Sequence, residues 1–303
     1  MAVVIVNYNT SDHLRACLAT VQSESSSQVI VVDNASTDGS VEMVKREYPW
    51  VTLIPNSTNK GYGTAANQGI FCCRDKYVLL LNADILLPPG ALQALITYLD
   101  LNPQAAVVGP RAVRLDGKLE STCYQFPGTL KSLVDSDTLG KLIRYIPGIR
   151  HHFLRTWPHD HSRVVPWVKG MALAIRYEVF KAVGGFDESF FLFFEEVDLC
   201  YRLAASGRQI HFAPVTSVLH IGGASTIQTR SDAAIQLFKG EIQFFQSHYS
   251  GMHLKVLMVS MKLLSLVRLI RNCIHLHFTA NEVRRSRIIE NITAEKCILL
   301  EPE

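Results

Sequence analysis

The sequence predicts an α/β fold with a mostly parallel central sheet and helices on both faces. In the first hundred residues, short apolar runs alternate with segments of helical periodicity, as is typical of βαβ units. The apolar runs are AVVIVNY, QVIVVD, VTLIP and YVLLLN, and the helical patterns span Asp12–Val21, Gly39–Tyr48, Gly63–Arg74 and Pro88–Leu101. Because strands buried on both faces are continuously apolar, these runs indicate a parallel sheet covered by helices.

Length, charge and cysteine content narrow the classes of function. The chain has 303 residues, of which 48% are hydrophobic, enough for one large domain with an appendage. The net charge of +3 is too balanced to indicate a nucleic-acid-binding protein. The seven cysteines include no C-x-x-C pair, which favours reduced thiols over disulfides or a zinc site. No signal-peptide pattern precedes the first strand, so we expect a cytoplasmic protein.

Polar side chains follow three of the predicted strands where each strand ends. They are Asn7 and Asn9 after the first strand, Asp33 and Asn34 after the second, and Asn82 and Asp84 after the fourth. In parallel sheets the ligand crevice lies beyond the carboxyl ends of the strands. A carboxylate at Asp84 can bind a hard divalent cation, which in turn binds a diphosphate. Asp33 or Asn34 can hydrogen-bond a nucleobase or ribose, because Ser36 or Asp38 suits the cap of the next helix better.

The stretch NKGYGTAANQGI contains three glycines between the third strand and the next helix. Glycine lets the backbone approach a ligand closely, which makes Gly61 a candidate binding residue. The spacing is not G-x-G-x-x-G, so it gives poor support for a dinucleotide site. We expect Asn67, in the helix that follows, to face the crevice.

The stretch FFLFFEEVDLCYRLAASG carries the candidate general base. On a helix, Glu196 falls in the apolar arc near Leu199 and Leu203. A carboxylate in such surroundings has a raised pKa, which suits a general base. The alternative is a buried Glu tied to a backbone amide or an Arg. Glu195 falls on the opposite side with Asp198 and Arg202, a pattern typical of a solvated or structural ion-pair face.

His220 lies in VLHIGGAST, a stretch that we expect to be a loop after the strand RQIHFAP. A neutral imidazole there could complete a metal site with Asp84. The alternative is a structural, hydrogen-bonded His. From Tyr124 to Pro166 the periodicity fades, which predicts a variable segment over the site.

A helix at about residues 232–248 is followed by an apolar segment, Met252–Phe278, that carries basic residues. The charges at Lys255, Lys262, Arg268 and Arg271 interrupt any apolar run of membrane-spanning length. The pattern favours a helix lying in the membrane interface, with its basic residues directed toward anionic headgroups. A core or oligomer-forming helix is the alternative. The tail after Thr279 is polar, and we expect it to be peripheral.

Taken in series, these motifs resemble the inverting family 2 glycosyltransferases with the GT-A fold, over residues 2–248. The motifs are VNYN, VVDNASTDGS, NKGYGTAANQGI, LLLNAD, KGMALAIRYEVFKAVGGFDESFF, EEVDLCYRL and HIGGAST, in the family's order. The subgroup that they resemble most is the rhamnosyltransferase-like enzymes of bacterial cell-surface polysaccharide assembly.

The resemblance implies a nucleoside-diphosphate sugar donor and Mg²⁺ or Mn²⁺. Asp84 matches the metal-binding Asp of the D-x-D signature, where Asn82 stands for the first Asp. Asp33 and Asn34 match the pair that holds the nucleobase. Glu196 matches the catalytic Asp of the family's Glu-Asp motif, with Glu195 as the fallback. His220 matches a His near the metal and diphosphate.

The resemblance divides the chain into a GT-A domain at 1–250 and a helical extension at 251–303. Residues 1–104 are then the nucleotide-sugar half, and residues 105–250 the acceptor and catalytic half. We expect inverting transfer, with dTDP-L-rhamnose as the best guess for the donor and a UDP-hexose or UDP-N-acetylhexosamine as the alternative. The expected acceptor is a saccharide or polyprenyl-diphosphate-linked saccharide at the cytoplasmic face of the cell membrane.

Two other classes of function are alternatives to a glycosyltransferase. A sugar-nucleotide nucleotidyltransferase would carry a Gly-rich basic loop after the first strand, and NYNTSDHL does not. A non-catalytic sugar-nucleotide-binding membrane scaffold is the other alternative, and release of nucleotide from a donor would separate it from an enzyme.

Overall fold

The computed structural model describes residues 1–128, 154, 157–222, 230–279 and 281–300. The chain divides into two compact units. The larger unit comprises Met1–Phe191 and Glu195–Thr226, and the smaller unit comprises Leu192–Phe194 and Ile227–Glu303. The predicted variable segment and the end of the HIGGAST motif lie in part outside the described residues.

The larger unit is built of alternating strands and helices in its first half, as predicted. Its strands are β1 (Ala2–Asn7), β2 (Val29–Asp33), β3 (Thr52–Pro55), β4 (Tyr77–Asn82), β5 (Ile85–Leu86), β6 (Ala105–Arg114), β7 (Leu119–Glu120), β8 (Cys123–Tyr124), β9 (Arg163–Val165), β10 (Trp167–Val168), β11 (Ala172–Arg176) and β12 (Gln209–His220). Its helices are α1 (Ser11–Gln22), α2 (Ser40–Glu47), α3 (Tyr62–Phe71), α4 (Ala91–Leu101), α5 (Tyr177–Ala182) and α6 (Glu195–Ala205).

The central sheet is mostly parallel, which confirms the predicted fold class. Its strand order is β3-β2-β1-β4-β11-β6-β12-β5, with β7 beside β6 and β9 beside β12. The pairs β1–β2, β1–β4, β2–β3 and β6–β12 are parallel. Strand β11 runs antiparallel to both β4 and β6, so β4 and β6 point the same way. The carboxyl ends of β1, β2, β4, β6 and β12 therefore share one edge.

Alternation along the strands gives the sheet two apolar faces. On β1, Val3 and Ile5 belong to a cluster that also contains residues of α1, α2 and α4. Val4 and Val6 of the same strand belong to a second cluster, with residues of α3 and α6. Helices therefore cover both faces, which explains why the strands are continuously apolar.

Strand β12 extends further than the sequence indicates. The predicted loop VLHIGGAST is strand up to His220. Between Ala213 and Ser217 the register with β6 shifts, because three residues are inserted there. An insertion of this kind bends a strand and re-aims the residues beyond it. Past the insertion, β12 pairs with β5, and His220 lies opposite Ile85, one residue after Asp84.

The smaller unit is helical and includes α7 (Arg230–His248), α8 (Gly251–Phe278) and α9 (Glu282–Leu300). Helix α9 occupies the tail that the sequence indicates to be peripheral, and its Ala294 and Ile298 are buried. The Ser265 hydroxyl on α8 hydrogen-bonds Glu295 on α9. Within the described part of the chain, none of the helices combines the length and the hydropathy needed to cross a membrane.

Gly69 lets α3 lie directly on the sheet, and its replacement tests this packing. A Cβ at this position would lie 2.5 Å from Cγ1 of Val4 and 3.1 Å from Cγ2 of Val32. We expect Gly69→Ala to lower the free energy of unfolding by roughly 1–3 kcal/mol, because the added methyl overpacks a buried contact. The measurement is urea denaturation.

The control for Gly69→Ala is Thr64→Ala on the same helix, at a partly exposed position. We expect it to change stability by less than about 0.5 kcal/mol. Alanine favours a helix over glycine by about 1 kcal/mol. If Gly69→Ala is more stable than the wild-type protein, helix propensity outweighs packing and our account of this contact is wrong.

Candidate active site

Strand register brings the polar strand ends together. Asn7 lies opposite Asp33 in the β1–β2 pair, and Asn82 lies opposite Val6 in the β1–β4 pair. Asn7, Asp33 and Asn82 are the last residues of their strands. The predicted crevice edge is therefore formed by neighbouring residues rather than by residues scattered along the sheet.

Asp33 is held in place by the turn that follows β1 and by the turn that follows β2. Asn7 Nδ2 donates to Asp33 Oδ2 at 2.8 Å, and the Ser36 amide donates to Asp33 Oδ1 at 2.8 Å. The Asn9 side chain accepts from the Thr37 amide at 2.7 Å. Asp38, as predicted, supplies the acceptor for the first amide of α2, at 3.1 Å. The carboxylate at Asp33 is thus preorganised, with the Asn7 amide as its support.

Asn34 organises the glycine-containing loop rather than pointing freely into the crevice. Its Nδ2 donates to Asn59 Oδ1 at 2.7 Å and to the Gly61 carbonyl at 3.1 Å. Its Oδ1 accepts from the Lys60 amide at 3.0 Å and from Asn56 Nδ2 at 3.1 Å. These hydrogen bonds of the Asn34 side-chain amide stabilise the loop.

Gly61 is required by the backbone of a neighbouring loop. It has φ of +86°, and a Cβ there would lie 2.5 Å from the Phe191 carbonyl oxygen. The sequence predicts that this glycine lets the backbone come close to a ligand. In the structure the backbone that approaches it closely belongs to the protein itself.

Asn67 is buried and binds a loop of the same unit. Its Oδ1 accepts from the Phe186 amide at 2.9 Å. Its Nδ2 donates to the Phe186 carbonyl at 2.9 Å and to Glu188 at 3.0 Å. The side chain ties α3 to the segment that leads toward α6, a supporting task different from the expected place in the crevice.

His220 links two carboxylates at the crevice edge. Its Nε2 lies 3.1 Å from Asp84 Oδ2, and its Nδ1 lies 2.6 Å from Glu120 Oε2. Lys169 completes the array, with its Nζ 2.9 Å from Glu120 Oε1. Hydrogen bonds from the imidazole ring to Asp84 and Glu120 raise the pKa of His220 to about 9. Two carboxylates therefore stabilise the imidazolium in this arrangement, and His220 would have to release its Nε2 proton to bind a cation beside Asp84.

Glu120 and Lys169 are site residues that sequence reasoning missed. The hydrogen bond from His220, partly offset by burial, lowers the pKa of Glu120 to about 2. Glu120 lies on β7, which has only two residues and no motif around it. Lys169 lies in KGMALA, a motif that could have indicated it.

Asn82 and Asp84 offer two kinds of oxygen atom to a divalent cation. The Asn82 Oδ1 atom is buried and has no hydrogen-bond partner, so this oxygen is left to accept from a ligand or cation. Asp84 supplies a hard carboxylate and His220 an imidazole nitrogen. Among the described residues, no group of three or more His, Cys, Asp or Glu side chains is arranged to hold a metal ion. The donor set suits a cation that takes its other ligands from a diphosphate.

Glu195 and Glu196 begin α6 and differ in their surroundings. Glu195 is 5% exposed, and burial followed by the charge of Glu196 holds its pKa well above the usual value. Burial also raises the pKa of Glu196, but backbone amides, including that of Gly170, and the charge of Lys169 oppose this shift. The Oε2 atoms of both glutamates are buried without a hydrogen-bond partner. These amides and Lys169 therefore favour the ionised form of Glu196.

The rest of the predicted ion-pair face is structural. Asp198 is buried and pairs with Arg202 at 2.7 Å. Arg202 also donates to the Val183 and Gly185 carbonyls, at 2.7 and 2.8 Å. This pair orients α6 against the preceding loop and leaves Glu195 and Glu196 outside the ion pair.

The Tyr62 hydroxyl interacts with the charges of three acidic residues. Its hydroxyl donates to the Gly170 carbonyl at 3.1 Å. Burial, and then the charges of Glu195, Glu196 and Asp84, hold its pKa well above the usual value. The charges of all three carboxylates therefore act on the Tyr62 hydroxyl, although Asp84 is 111 residues away from Glu195 in the sequence. Sequence reasoning missed Tyr62, and only its place beside Gly61 could have indicated it.

Comparisons with known proteins agree with this fold. The sequence profile described as "Glycosyl transferase family 2" matches residues 2–157. An N-acetylglucosaminyl-diphospho-decaprenol L-rhamnosyltransferase of Mycobacterium tuberculosis is 31% identical over 83% of this chain and 85% of its own length. The Escherichia coli rhamnosyltransferase WbbL is 22% identical over 72% of this chain and 82% of its own length.

Two solved structures share the fold at 16% identity. A mannosyltransferase from Pyrobaculum calidifontis, in complex with GDP-Man and Mn²⁺, has a TM-score of 0.58 over the whole of this chain and 87% of that chain. GalNAc-T7 with UDP, GalNAc and Mn²⁺ has a TM-score of 0.58 over 81% of this chain, which spans 47% of that protein. The fold is thus that of GT-A glycosyltransferases, and the chain belongs to glycosyl transferase family 2, with rhamnosyltransferases among its relatives.

Proposed function

We propose that this glycosyltransferase moves a sugar from a nucleoside-diphosphate donor to a hydroxyl of a lipid-linked saccharide, with inversion and with a divalent cation. The observation that carries the proposal is the continuous set of contacts around Gly170. The Tyr62 hydroxyl donates to the Gly170 carbonyl, and a Cβ on Gly170 would lie 3.6 Å from the Glu196 Cβ. The next residue along the chain, Lys169, pairs with Glu120, which shares His220 with Asp84. Such a site can hold the diphosphate on one side and an acceptor hydroxyl on the other.

The nucleoside end of the donor is assigned to the Asn7–Asp33 pair. Asp33 is held by Asn7 and the Ser36 amide, so its carboxylate can accept a hydrogen bond from the base or ribose without rearranging. The best guess for the donor is dTDP-L-rhamnose, because two relatives are named rhamnosyltransferases. A UDP-hexose or UDP-N-acetylhexosamine is the alternative. A screen of nucleotide sugars with Mn²⁺, measuring nucleotide release, decides between these donors.

The proposed reaction is one in-line displacement at the anomeric carbon. Glu196 accepts the proton of the acceptor hydroxyl while its oxygen bonds to that carbon. The bond from the carbon to the diphosphate oxygen breaks, and the nucleoside diphosphate leaves. One displacement inverts the configuration, and Glu196 needs to act only as a base.

Glu196→Gln tests the base assignment. We expect at least about a 100-fold lower rate of transfer, because general base catalysis typically contributes roughly 10²–10⁴-fold. Donor binding is retained. Because burial raises the pKa of Glu196, the wild-type rate rises with pH through an apparent pKa above 4.5, as the carboxyl ionises. The rate of the variant does not show this rise with pH. The measurement is nucleotide release across pH.

The matched control for this prediction is Glu195→Gln. If this variant loses transfer while Glu196→Gln turns over normally, Glu195 is the base. If the wild-type protein binds donors but releases no nucleotide with any donor and acceptor, the non-catalytic scaffold is favoured and the proposed function is wrong.

Asp84, His220 and the orphaned oxygen of Asn82 are the residues that would hold a Mg²⁺ or Mn²⁺ ion. When bound, the cation neutralises charge that develops on the departing diphosphate, worth several kcal/mol. Glu120 and Lys169 orient His220 and keep the charge of this edge balanced. Metal-ligating imidazoles are commonly fixed in this way by a carboxylate on the other ring nitrogen.

Asp84→Ala is expected to abolish the increase in donor affinity that Mn²⁺ causes, because it removes the carboxylate assigned to the cation. Binding is measured by calorimetry with and without Mn²⁺. Asp116→Ala is the control, since Asp116 is a partly exposed surface carboxylate paired with Arg114 and Lys118. Unchanged metal-dependent affinity in Asp84→Ala contradicts the assigned role.

The membrane surface is proposed as the place where the lipid-linked acceptor is met, on the cytoplasmic face. The mycobacterial relative is named for a decaprenol-linked acceptor. Helix α8 buries polar Ser265 and Asn272 and exposes an apolar arc. The arc contains Met252, Val256, Val259, Leu263, Leu266, Val267, Ile270, Ile274 and Phe278. On a helical projection, Lys255 and Lys262 flank one side of the arc and Arg271 the other, as in helices that lie in a membrane interface.

Ile270→Asp tests the membrane assignment of the α8 arc. We expect at least about tenfold weaker binding to vesicles that contain anionic phospholipid, because burying an Ile side chain contributes roughly 1.5–3 kcal/mol. Cosedimentation of the protein with the vesicles measures this binding. Leu237→Asp on α7 is the control, since Leu237 is 49% and Ile270 51% exposed. If Ile270→Asp binds vesicles normally but dissociates an oligomer, the arc contacts a second copy instead.

A further inference from the structure

Arg111 on β6 is a partly buried arginine whose charge no carboxylate of the described residues neutralises. Its Nε atom is buried without a hydrogen-bond partner, and none of the ion pairs among those residues includes its guanidinium. Arg176 and Arg202 are also partly buried, but each donates to backbone carbonyls or to a carboxylate. Because a buried charge without such partners costs free energy, Arg111 suits a site that receives an anion.

Ser121 brings a second buried donor to the same part of the sheet. Ala112 of β6 pairs with Glu120 of β7, and the residues next to this antiparallel pair are Arg111 on one side and Ser121 on the other. The Ser121 Oγ atom is buried and, like Arg111 Nε, has no hydrogen-bond partner. A guanidinium and a hydroxyl thus follow the same strand pair, and both can donate to an anion.

His159 does not supply a negative charge to balance Arg111. Its side chain is 1% exposed, and its Nδ1 lies 2.7 Å from the Trp157 carbonyl, which can only accept. Burial, partly offset by that hydrogen bond, lowers the pKa of His159, and the charge of Arg111 lowers it further. The neutral ring is therefore favoured, and the charge of Arg111 is not balanced from this side.

Arg111 lies on the face of β6 against which β10 packs. A Cβ on Gly109 would lie 3.0 Å from the Val168 Cβ, and residues two apart on a strand share a face. Strand β10 is followed by Gly170, where a Cβ would lie 3.6 Å from the Glu196 Cβ. The segment that packs on this face of β6 therefore leads directly to the candidate base.

We propose that Arg111, with Ser121, binds the phosphate group that joins the acceptor saccharide to its lipid. This inference rests on the proposed transfer to a lipid-linked saccharide. The planar guanidinium presents forked N–H donors that match phosphate oxygens. In an acceptor with a single sugar residue, the hydroxyl at Glu196 and the linking phosphate belong to the same ring, which calls for a phosphate site close to the base. The donor diphosphate has a separate proposed place, beside Asp84.

Arg111→Gln tests the proposal by removing the charge and the forked donors. The probes are farnesyl diphosphate and farnesol, which share a prenyl chain and differ in the diphosphate. We expect at least about tenfold weaker binding of farnesyl diphosphate, because charge-assisted hydrogen bonds are lost. Binding of farnesol and of the nucleotide-sugar donor is unchanged. Calorimetry measures the prenyl probes without metal, so that no cation holds the diphosphate at Asp84, and the donor with Mn²⁺.

Arg208→Gln is the matched control, since it makes the same change at an exposed arginine before β12, at the edge of the sheet opposite the crevice. We expect wild-type binding of both prenyl probes. Ser121→Ala is the second variant, because it removes a buried hydroxyl that has no partner in the protein, and we expect it to fold normally. It should bind farnesyl diphosphate several-fold more weakly, and it decides the question if Arg111→Gln fails to fold.

Wild-type affinity for farnesyl diphosphate in both variants overturns the proposal. Equal losses for farnesyl diphosphate and farnesol also overturn it, because they show only a structural role. A matching loss of donor affinity does so too, because Arg111 then serves the donor diphosphate.

The outcome for the phosphate site can be separated from the outcome for the proposed function. If the wild-type protein transfers sugar but binds farnesyl diphosphate no more tightly than farnesol, the phosphate site has failed and the proposed function has not. If Glu196→Gln transfers normally, the proposed base has failed, while the loss of farnesyl diphosphate binding in Arg111→Gln still supports the phosphate site.

Discussion

Parallel pairing of β1 with β2 and β4 is the constraint on which the site depends. It places Asn7, Asp33 and Asn82 at one edge, since the carboxyl ends of these strands coincide. Antiparallel β11 then brings its beginning to that same edge, where the Asn82 amide bonds the Met171 carbonyl at 3.0 Å. If one strand slipped by a residue, its apolar side chains would change faces, so the apolar core also holds the polar edge in register.

The second organising element is the start of α3. Its residues 61–63 contact the Phe191 backbone, the Gly170 carbonyl and the Glu195 side chain. The two glycines, Gly61 and Gly63, allow these close approaches, and the Tyr62 hydroxyl bonds the Gly170 carbonyl. The start of α3 thus mainly binds together parts of the chain that are distant in sequence, although its own sequence is typical of a ligand-binding loop.

Charge at the crevice is divided into two arrangements with different acid–base behaviour. At Glu120 the carboxylate faces His220 and Lys169, which lower its pKa, and His220 also bonds Asp84. At Glu195 and Glu196 burial favours the protonated forms. One region suits binding of a charged diphosphate, and the other suits exchange of a proton.

Periodicity, strand-end polarity and the order of the motifs determined the fold class, the family and the strand edge of Asn7, Asp33 and Asn82. They also predict the roles of Asp84, Glu196 and His220. These features are local in sequence, and a parallel sheet leaves few ways to arrange them. Tertiary structure alone decided the tasks of Asn34 and Asn67, whose amides bind loops, and the two carboxylate partners of His220. It also added Glu120, Lys169 and Tyr62, because their role comes from neighbours that are distant in the chain. Pairing across such distances depends on register, inserted residues and burial, which no short stretch of sequence contains.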